Sequence, residues 1–509
     1  MNFMKKTKNY ISVVIVICLC LGFAACGAVN ENKGDGIHKE ELEMMPVPGE
    51  TNYTDNEQYS EIKQNQFVLT EKIDSQAFSL KVDTAAYSNI ARIIKNSKMP
   101  PADAVRTEEL INYFKYDASV EMNQEHPFAV KTFIGESPFA EGKHMAYIRV
   151  KTADIDVSDL PPSNLTFLID TSGSMLSYDK LPLLQQAFSL LVNNLSAKDT
   201  ISIVTYGGTS QVLLDSADGA DKEQILSIIN SLEASGSTAG AKGIQTAYDL
   251  AKKNYRTDAN NRVILATDGD FNVGISSTEE LKEFISEKRN EGIYLSVLGF
   301  GTGNLRDDIM ETLAANGDGN YSYIDNLTTA QKVLVEEMGA NMFVVAKDVK
   351  ANLKFNKDFV KEFRLVGYEN RLMSSEDFGN ENKDAGELGA GTDVVVLVEL
   401  ILHENAPVTD NNDLLNVCIR YKTVDDGTQM ELNVPIANNV ADDTTAEDKS
   451  DFNFACSVAA FAEFLRKSEF IGNATAKDIA DLARENLGND AKGYRISFVD
   501  LINKAAIIQ

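Results

Sequence analysis

At 509 residues with 43% hydrophobic side chains, the chain has room for about three domains with real cores and is not a disordered polymer. Its formal net charge of −28 argues against nucleic acid, whose phosphates it would repel, and against electrostatic adhesion to an anionic membrane surface. The histidines His38, His126, His144 and His403 are isolated, and no His-Glu-x-x-His, Gly-x-Ser-x-Gly or phosphate-cradling Gly-x-x-x-x-Gly-Lys occurs, so nothing points to a catalytic centre.

Residues 1–26 read as a targeting segment. Lys5, Lys6 and Lys8 form a basic stretch, Ile11 to Leu21 an apolar core too short to span a bilayer comfortably, and Phe23-Ala24-Ala25-Cys26 sets small residues before a cysteine. The segment resembles a lipoprotein signal peptide. That resemblance implies lipidation at Cys26 and anchoring at the extracytoplasmic face of the cell membrane. Phe23 stands where leucine is usual, and ordinary secretion with cleavage at the same alanine pair is the alternative. The mature chain would keep Cys418 and Cys456, either as one disulfide or as two buried thiols. Residues 27–66 are rich in Asn, Glu, Lys, Gly and Pro without an apolar period and read as a flexible tether.

A flanking region spans 67–160, helices first and strands after. Phe78 to Val82 alternates as a strand, Tyr87, Ile90, Ile93 and Ile94 share a helix face, and Glu108 to Phe114 is a second amphipathic stretch. Phe128 to Thr132 and Met145 to Val150 have strand character, and Pro161-Pro162 marks a boundary. Over 161–345 apolar strands alternate with amphipathic helices, which predicts an α/β fold with a doubly wound, mostly parallel six-stranded sheet. Beyond it, 346–437 reads as strands without helices, a β-sandwich. We expect Phe128 to Val150 to pair into that sandwich, which makes the α/β domain an insertion in one of its loops. Residues 438–450 read as an acidic linker and 451–509 as a C-terminal helical segment whose Phe454, Val458, Phe461 and Leu465 stripe is core.

Three stretches of the α/β region carry the chemistry. The apolar run Leu165 to Ile169 leads into Asp170-Thr171-Ser172-Gly173-Ser174, which sets an Asp and two hydroxyls on one side of a turn. Gly236-Ser237-Thr238-Ala239-Gly240 brings a third hydroxyl, and Asp268 follows the apolar strand Val263 to Leu265. Hard oxygens of this kind suit Mg²⁺ or Mn²⁺, and neutral hydroxyls supply them without cancelling the ion's charge. Alone, Asp-x-Ser-Gly-Ser could be a turn that caps backbone N–H groups; the three parts together resemble the metal-ion-dependent adhesion site of von Willebrand factor type A domains. The resemblance implies that Ser172, Ser174 and Thr238 touch Mg²⁺ (or Mn²⁺, with Ca²⁺ possible) directly or through water. Asp170 and Asp268 would hold the metal's waters, and an Asp or Glu of a protein ligand would complete the octahedron. Such ligation leaves no obvious general base, so no enzyme is expected.

The strings Val82-Asp83-Thr84-Ala85, Ile111-Asn112-Tyr113-Phe114, Ala266 to Gly274 and Gly367 to Arg371 extend the likeness. They resemble a bacterial von Willebrand factor type A lipoprotein family with domains on both sides of the type A domain. The expected protein is a cell-surface lipoprotein that binds a carboxylate-bearing protein; the alternative is an envelope assembly factor or scaffold in which the metal is mainly structural.

Overall fold

A computed structural model describes residues 56–122, 125–155, 160–236, 240–269, 278–381, 383–404, 413–437 and 444–509. The targeting segment with Cys26, and Thr238 of the glycine loop, lie outside the described residues. Among the described residues no helix is long and apolar enough to cross a membrane.

The central sheet has six strands in the order Tyr321–Ile324, Tyr294–Phe300, Asn260–Thr267, Ser163–Asp170, Thr200–Tyr206, Ser210–Asp218. Every pairing is parallel except the last. The inner strands are buried on both faces and therefore read as unbroken apolar runs, whereas Ser210–Asp218 at the edge is largely exposed. Helix Leu181–Asn194 buries Leu184, Phe188 and Leu191 on one face of the sheet, and helix Gly240–Lys253 packs on the other through Ile244, Ala247 and Tyr248. Helix Asp307–Asn316, which the sequence reading did not find, covers the same face as the latter through Met310, Leu313 and Ala314. The segment after the last strand is Leu327–Gln331, a π-helical turn Lys332–Glu336 and Met338–Met342.

Two antiparallel sheets enclose the second core. One runs Val68–Leu69, Val360–Val366, Asp393–Leu402, His144–Thr152, Phe128–Glu136; the other runs Leu372–Met373, Ser75–Ser79, Val344–Phe355, Asp413–Lys422, Gln429–Ala437. His144–Thr152 pairs with Asp393–Leu402 from Lys151↔Asp393 to His144↔Leu400, so strands before and after the α/β domain share one sheet. The α/β domain is thus inserted between them.

The flanking segments share cores rather than forming separate units. Helix Ala85–Lys95 and the short helix Thr107–Ile111 join Ala446–Arg466, Ala476–Glu485 and Tyr494–Ile508 over the outer face of the first sandwich sheet. Tyr87, Phe114, Phe454, Phe461 and Phe498 meet at the centre with ring centroids 5.0–6.4 Å apart.

Three sequence expectations need correction. The end of the tether is not free chain: Asn56 and Gln58 donate N–H bonds to the carbonyls of Gly303 and Leu305, Glu57 pairs with Arg92 at 2.8 Å, and Asn65 bonds the Leu365 and Gly367 carbonyls. The acidic linker ends early, because Thr445 and Asp448 form a capping box that starts the helix at Ala446. The sandwich region also contains the short helix Ser375–Gly379 between its strands.

A buried ionic cluster joins the pieces. Arg106, 2% exposed, bonds Asp307 of the α/β domain (Nη1–Oδ2 2.5 Å) and Glu109 (Nε–Oε1 2.6 Å), and Arg371 pairs with Asp83 at 3.0 Å and Glu311 at 3.5 Å. Burial raises the Glu109 carboxyl to about 8, with the charges of Asp83 and Glu311 adding to the rise against the lowering influence of Arg106.

Candidate functional site

The site forms where the central strands end. Ser163–Asp170 and Asn260–Thr267 are parallel neighbours in register from Ser163↔Asn260 to Ile169↔Ala266, which brings Asp170 and Asp268 side by side at their carboxyl ends. In a doubly wound sheet this is the crevice where ligands bind. Both carboxylates are 0% exposed.

Local hydrogen bonds shape the loop after Asp170. The Ser172 N–H donates to Asp170 Oδ1 at 2.8 Å, and the Thr267 hydroxyl donates to Asp170 Oδ2 at 3.2 Å. The Ser172 and Ser174 hydroxyls lie 2.9 Å apart, and Met175 is buried below them as the anchor of the turn Gly173–Leu176. The expected grouping of Asp170, Ser172, Ser174 and Asp268 is therefore present. Thr238 itself is outside the described residues. The stretch just before it lies against the loop, however, with Ser235 N–H donating to the Thr171 carbonyl at 2.8 Å and Gly173 N–H to the Gly236 carbonyl at 3.0 Å. Gly236 has φ +83°, and a Cβ there would fall 2.9 Å from Gly208 N. Gly269 (φ +96°) is likewise required, since a Cβ would lie 2.5 Å from Arg306 N.

Two buried carboxylates face one another, and their repulsion is visible in Asp170. Burial first and the Asp268 charge second push its carboxyl up to about 6, against the hydrogen bonds from Ser172. Sequence reasoning missed the group that answers Asp268: Lys180 Nζ donates to Asp268 Oδ2 at 2.8 Å and to Asn304 Oδ1 at 3.0 Å. A signal for it exists. Lys180 stands at the start of the helix Leu181–Asn194, where the helix dipole disfavours a cation, so its charge needs another use.

The donor set is oxygen only: two carboxylates and two hydroxyls, without His or Cys. Among the described residues no group of three or more His, Cys, Asp or Glu forms a carboxylate- or imidazole-rich metal centre. The chemistry fits a hard divalent cation, because the two carboxylates carry one more negative charge than Lys180 balances and the hydroxyls add neutral ligands. An open polar cleft of about 530 Å³ lies beside the loop, lined by Thr171, Gly207, Thr209, Glu233 and Ser235 among others. Leu176 and Tyr178, directly after the loop, are 73% and 85% exposed.

Comparison with known proteins agrees with this architecture. The family described as von Willebrand factor type A domain matches residues 164–336, one described as von Willebrand factor matches 53–147, and one described as uncharacterized protein YfbK, C-terminal, matches 340–508. The uncharacterized protein YfbK of Escherichia coli (strain K12) is 38% identical over 449 residues, 84% of this chain and 77% of that protein. The chain belongs to the bacterial YfbK-like family of von Willebrand factor type A proteins. Within that wider group, the uncharacterized protein sll0103 of Synechocystis sp. is 24% identical over 60% of this chain and 72% of its own length. A solved von Willebrand factor type A structure from Catenulispora acidiphila covers 74% of this chain and 89% of its own at 16% identity, with a TM-score of 0.42. Membership gives the central domain a type A fold, which implies protein–protein interaction or adhesion.

Proposed function

We propose that this protein is a cell-surface lipoprotein whose type A domain binds a partner protein through a divalent cation, with a partner Asp or Glu as the final metal ligand. The observation that carries the reading is the convergence of Asp170, Ser172, Ser174 and Asp268 at the carboxyl ends of adjacent parallel strands. Ser172 and Ser174 would hold Mg²⁺ or Mn²⁺ through their hydroxyls, with Thr238 as the third; Asp170 and Asp268 would orient its waters. The bound cation supplies an electrophile for a carboxylate. The chain's own residues supply the frame: the Ser172 N–H and Thr267 hydroxyl fix Asp170, Met175 pins the loop, and the cleft gives the partner room.

Calorimetric titration of the mature chain with Mg²⁺ and Mn²⁺ tests the metal. Wild type should bind one ion per chain, while Asp170→Asn and Ser172→Ala should lose binding and keep the far-UV spectrum. Equal binding by all three would sink the reading. Lipidation is tested by growing cells on labelled palmitate, which should mark the wild type and not Cys26→Ser.

A further inference from the structure

We propose that Lys180 is a resident counter-cation of the metal site, holding Asp268 compensated without metal and weakening the affinity for the divalent ion. The proposal rests on the metal-site reading above and assigns a role to a side chain outside the expected ligand set.

Three observations carry it. Lys180 is 7% exposed, and its ammonium spans from Asp268 Oδ2 (2.8 Å) to Asn304 Oδ1 (3.0 Å), so it is paired within the site rather than in solvent. Its aliphatic stem has a place made for it: Gly301 has φ +76°, and a Cβ there would fall 2.3 Å from Lys180 Cγ. Finally, the Gly301 to Arg306 loop that receives the stem is braced from outside, with the Tyr323 hydroxyl on the Gly301 carbonyl at 2.6 Å and Glu57 Oε1 accepting the Gly303 N–H at 3.1 Å. A lysine held this way does not swing out when a cation arrives.

The charge balance gives the consequence. Asp170, Asp268 and Lys180 sum to one negative charge, and a divalent ion turns that into one positive charge, which a partner carboxylate then meets. Without Lys180 the same ion would only neutralise the site. Lys180 therefore gives up metal affinity and keeps the loaded site attractive to an anion. An ammonium that already holds Asp268 would repel a divalent ion bound at the same buried carboxylates, so removing it should tighten Mg²⁺ binding roughly tenfold or more.

The test compares wild type with Lys180→Met, which keeps the stem, and Lys180→Gln, which keeps a donor for Asp268 without charge. Mg²⁺ affinity is read by calorimetry and thermal midpoints are read in chelator and in millimolar Mg²⁺. Both variants should bind Mg²⁺ at least tenfold more tightly, melt below wild type in chelator, and recover that loss in Mg²⁺. Unchanged or weaker affinity, or a stability loss that Mg²⁺ does not repair, would overturn the proposal; so would variants that fail to fold even with Mg²⁺ supplied. If wild type binds no Mg²⁺ while Lys180→Met does, the metal reading of the wild type fails and the counter-cation role stands. If none of the three binds and all melt alike in chelator, both fail.

Discussion

Replacing Arg106 with Met tests whether the type A domain is locked to the rest of the protein by buried charge. The guanidinium is enclosed and answers Asp307 at 2.5 and 3.1 Å, Glu109 at 2.6 Å and Glu311 at 3.9 Å. Methionine fills much of the volume and takes this cation from Asp307 and Glu109, while Glu311 keeps Arg371 at 3.5 Å. Breaking a buried pair from one side costs about 3–5 kcal/mol. For a unit of 150–250 residues, about 2–4 °C per kcal/mol then gives a fall of roughly 6–20 °C in the first melting transition. The loss should depend on pH. Glu109 is raised to about 8 even with Arg106 present, so the folded state holds its proton more tightly than the unfolded chain does. A raised carboxyl costs nothing below its unfolded value near 4.5, and its cost grows as pH rises to the folded value; without Arg106 that upper limit moves higher still. Wild type carries the same Glu109 cost up to about pH 8, so the extra deficit of Arg106→Met should open above that value and be larger at pH 9.5 than at pH 7, as read by differential scanning calorimetry in chelator. A drop below about 2 °C, or the same drop at both pH values, would refute the reasoning.

Glu387→Gln probes the same physics at a second point. Burial first and Asp318 second raise Glu387 from 4.5 to about 8, and its Oε2 is buried without a hydrogen-bond partner. Wild type should lose up to about 1.4 kcal/mol per pH unit from this group between those values, a slope the variant lacks; urea titrations at pH 5 and pH 8 would show it. Phe498→Ala empties the centre of the shared helical core and should cost about 3–5 kcal/mol by urea unfolding, with the loss felt by the N-terminal helices as well as the C-terminal ones. The two described cysteines are free thiols; burial pushes Cys418 to about 11 and Cys456 further up. Neither should react promptly with a disulfide reagent at pH 8 until urea unfolds the chain.

The α/β sheet and its site were legible because one physical fact produces both: strands buried on two faces are written as apolar runs, and such strands present their loops at their carboxyl ends. Asp170, Ser172, Ser174 and Asp268 followed from that. Lys180 did not, because its partner Asp268 lies 88 positions away and only the fold brings them together. The strand Gln429–Ala437 lies at a sheet edge, where its alternating side chains leave one face to solvent and Pro435 is tolerated. Helix Asp307–Asn316 is short and hides its apolar face in three residues. The helical core escaped for a different reason. Its aromatic contacts, such as Tyr87 with Phe498, join opposite ends of the chain, and periodicity carries no information about which faces meet.

A pull-down shows whether a cation bridges this domain to a partner carboxylate. The mature chain serves as bait for envelope and extracellular fractions in Mg²⁺ and in chelator, with an Asp170→Ala bait in Mg²⁺ as the third arm. A cation bridge requires a protein retained by the wild-type bait in Mg²⁺ alone, and released when chelator is added. The same proteins in all three arms, or none in any, would contradict it and leave the scaffold reading in its place.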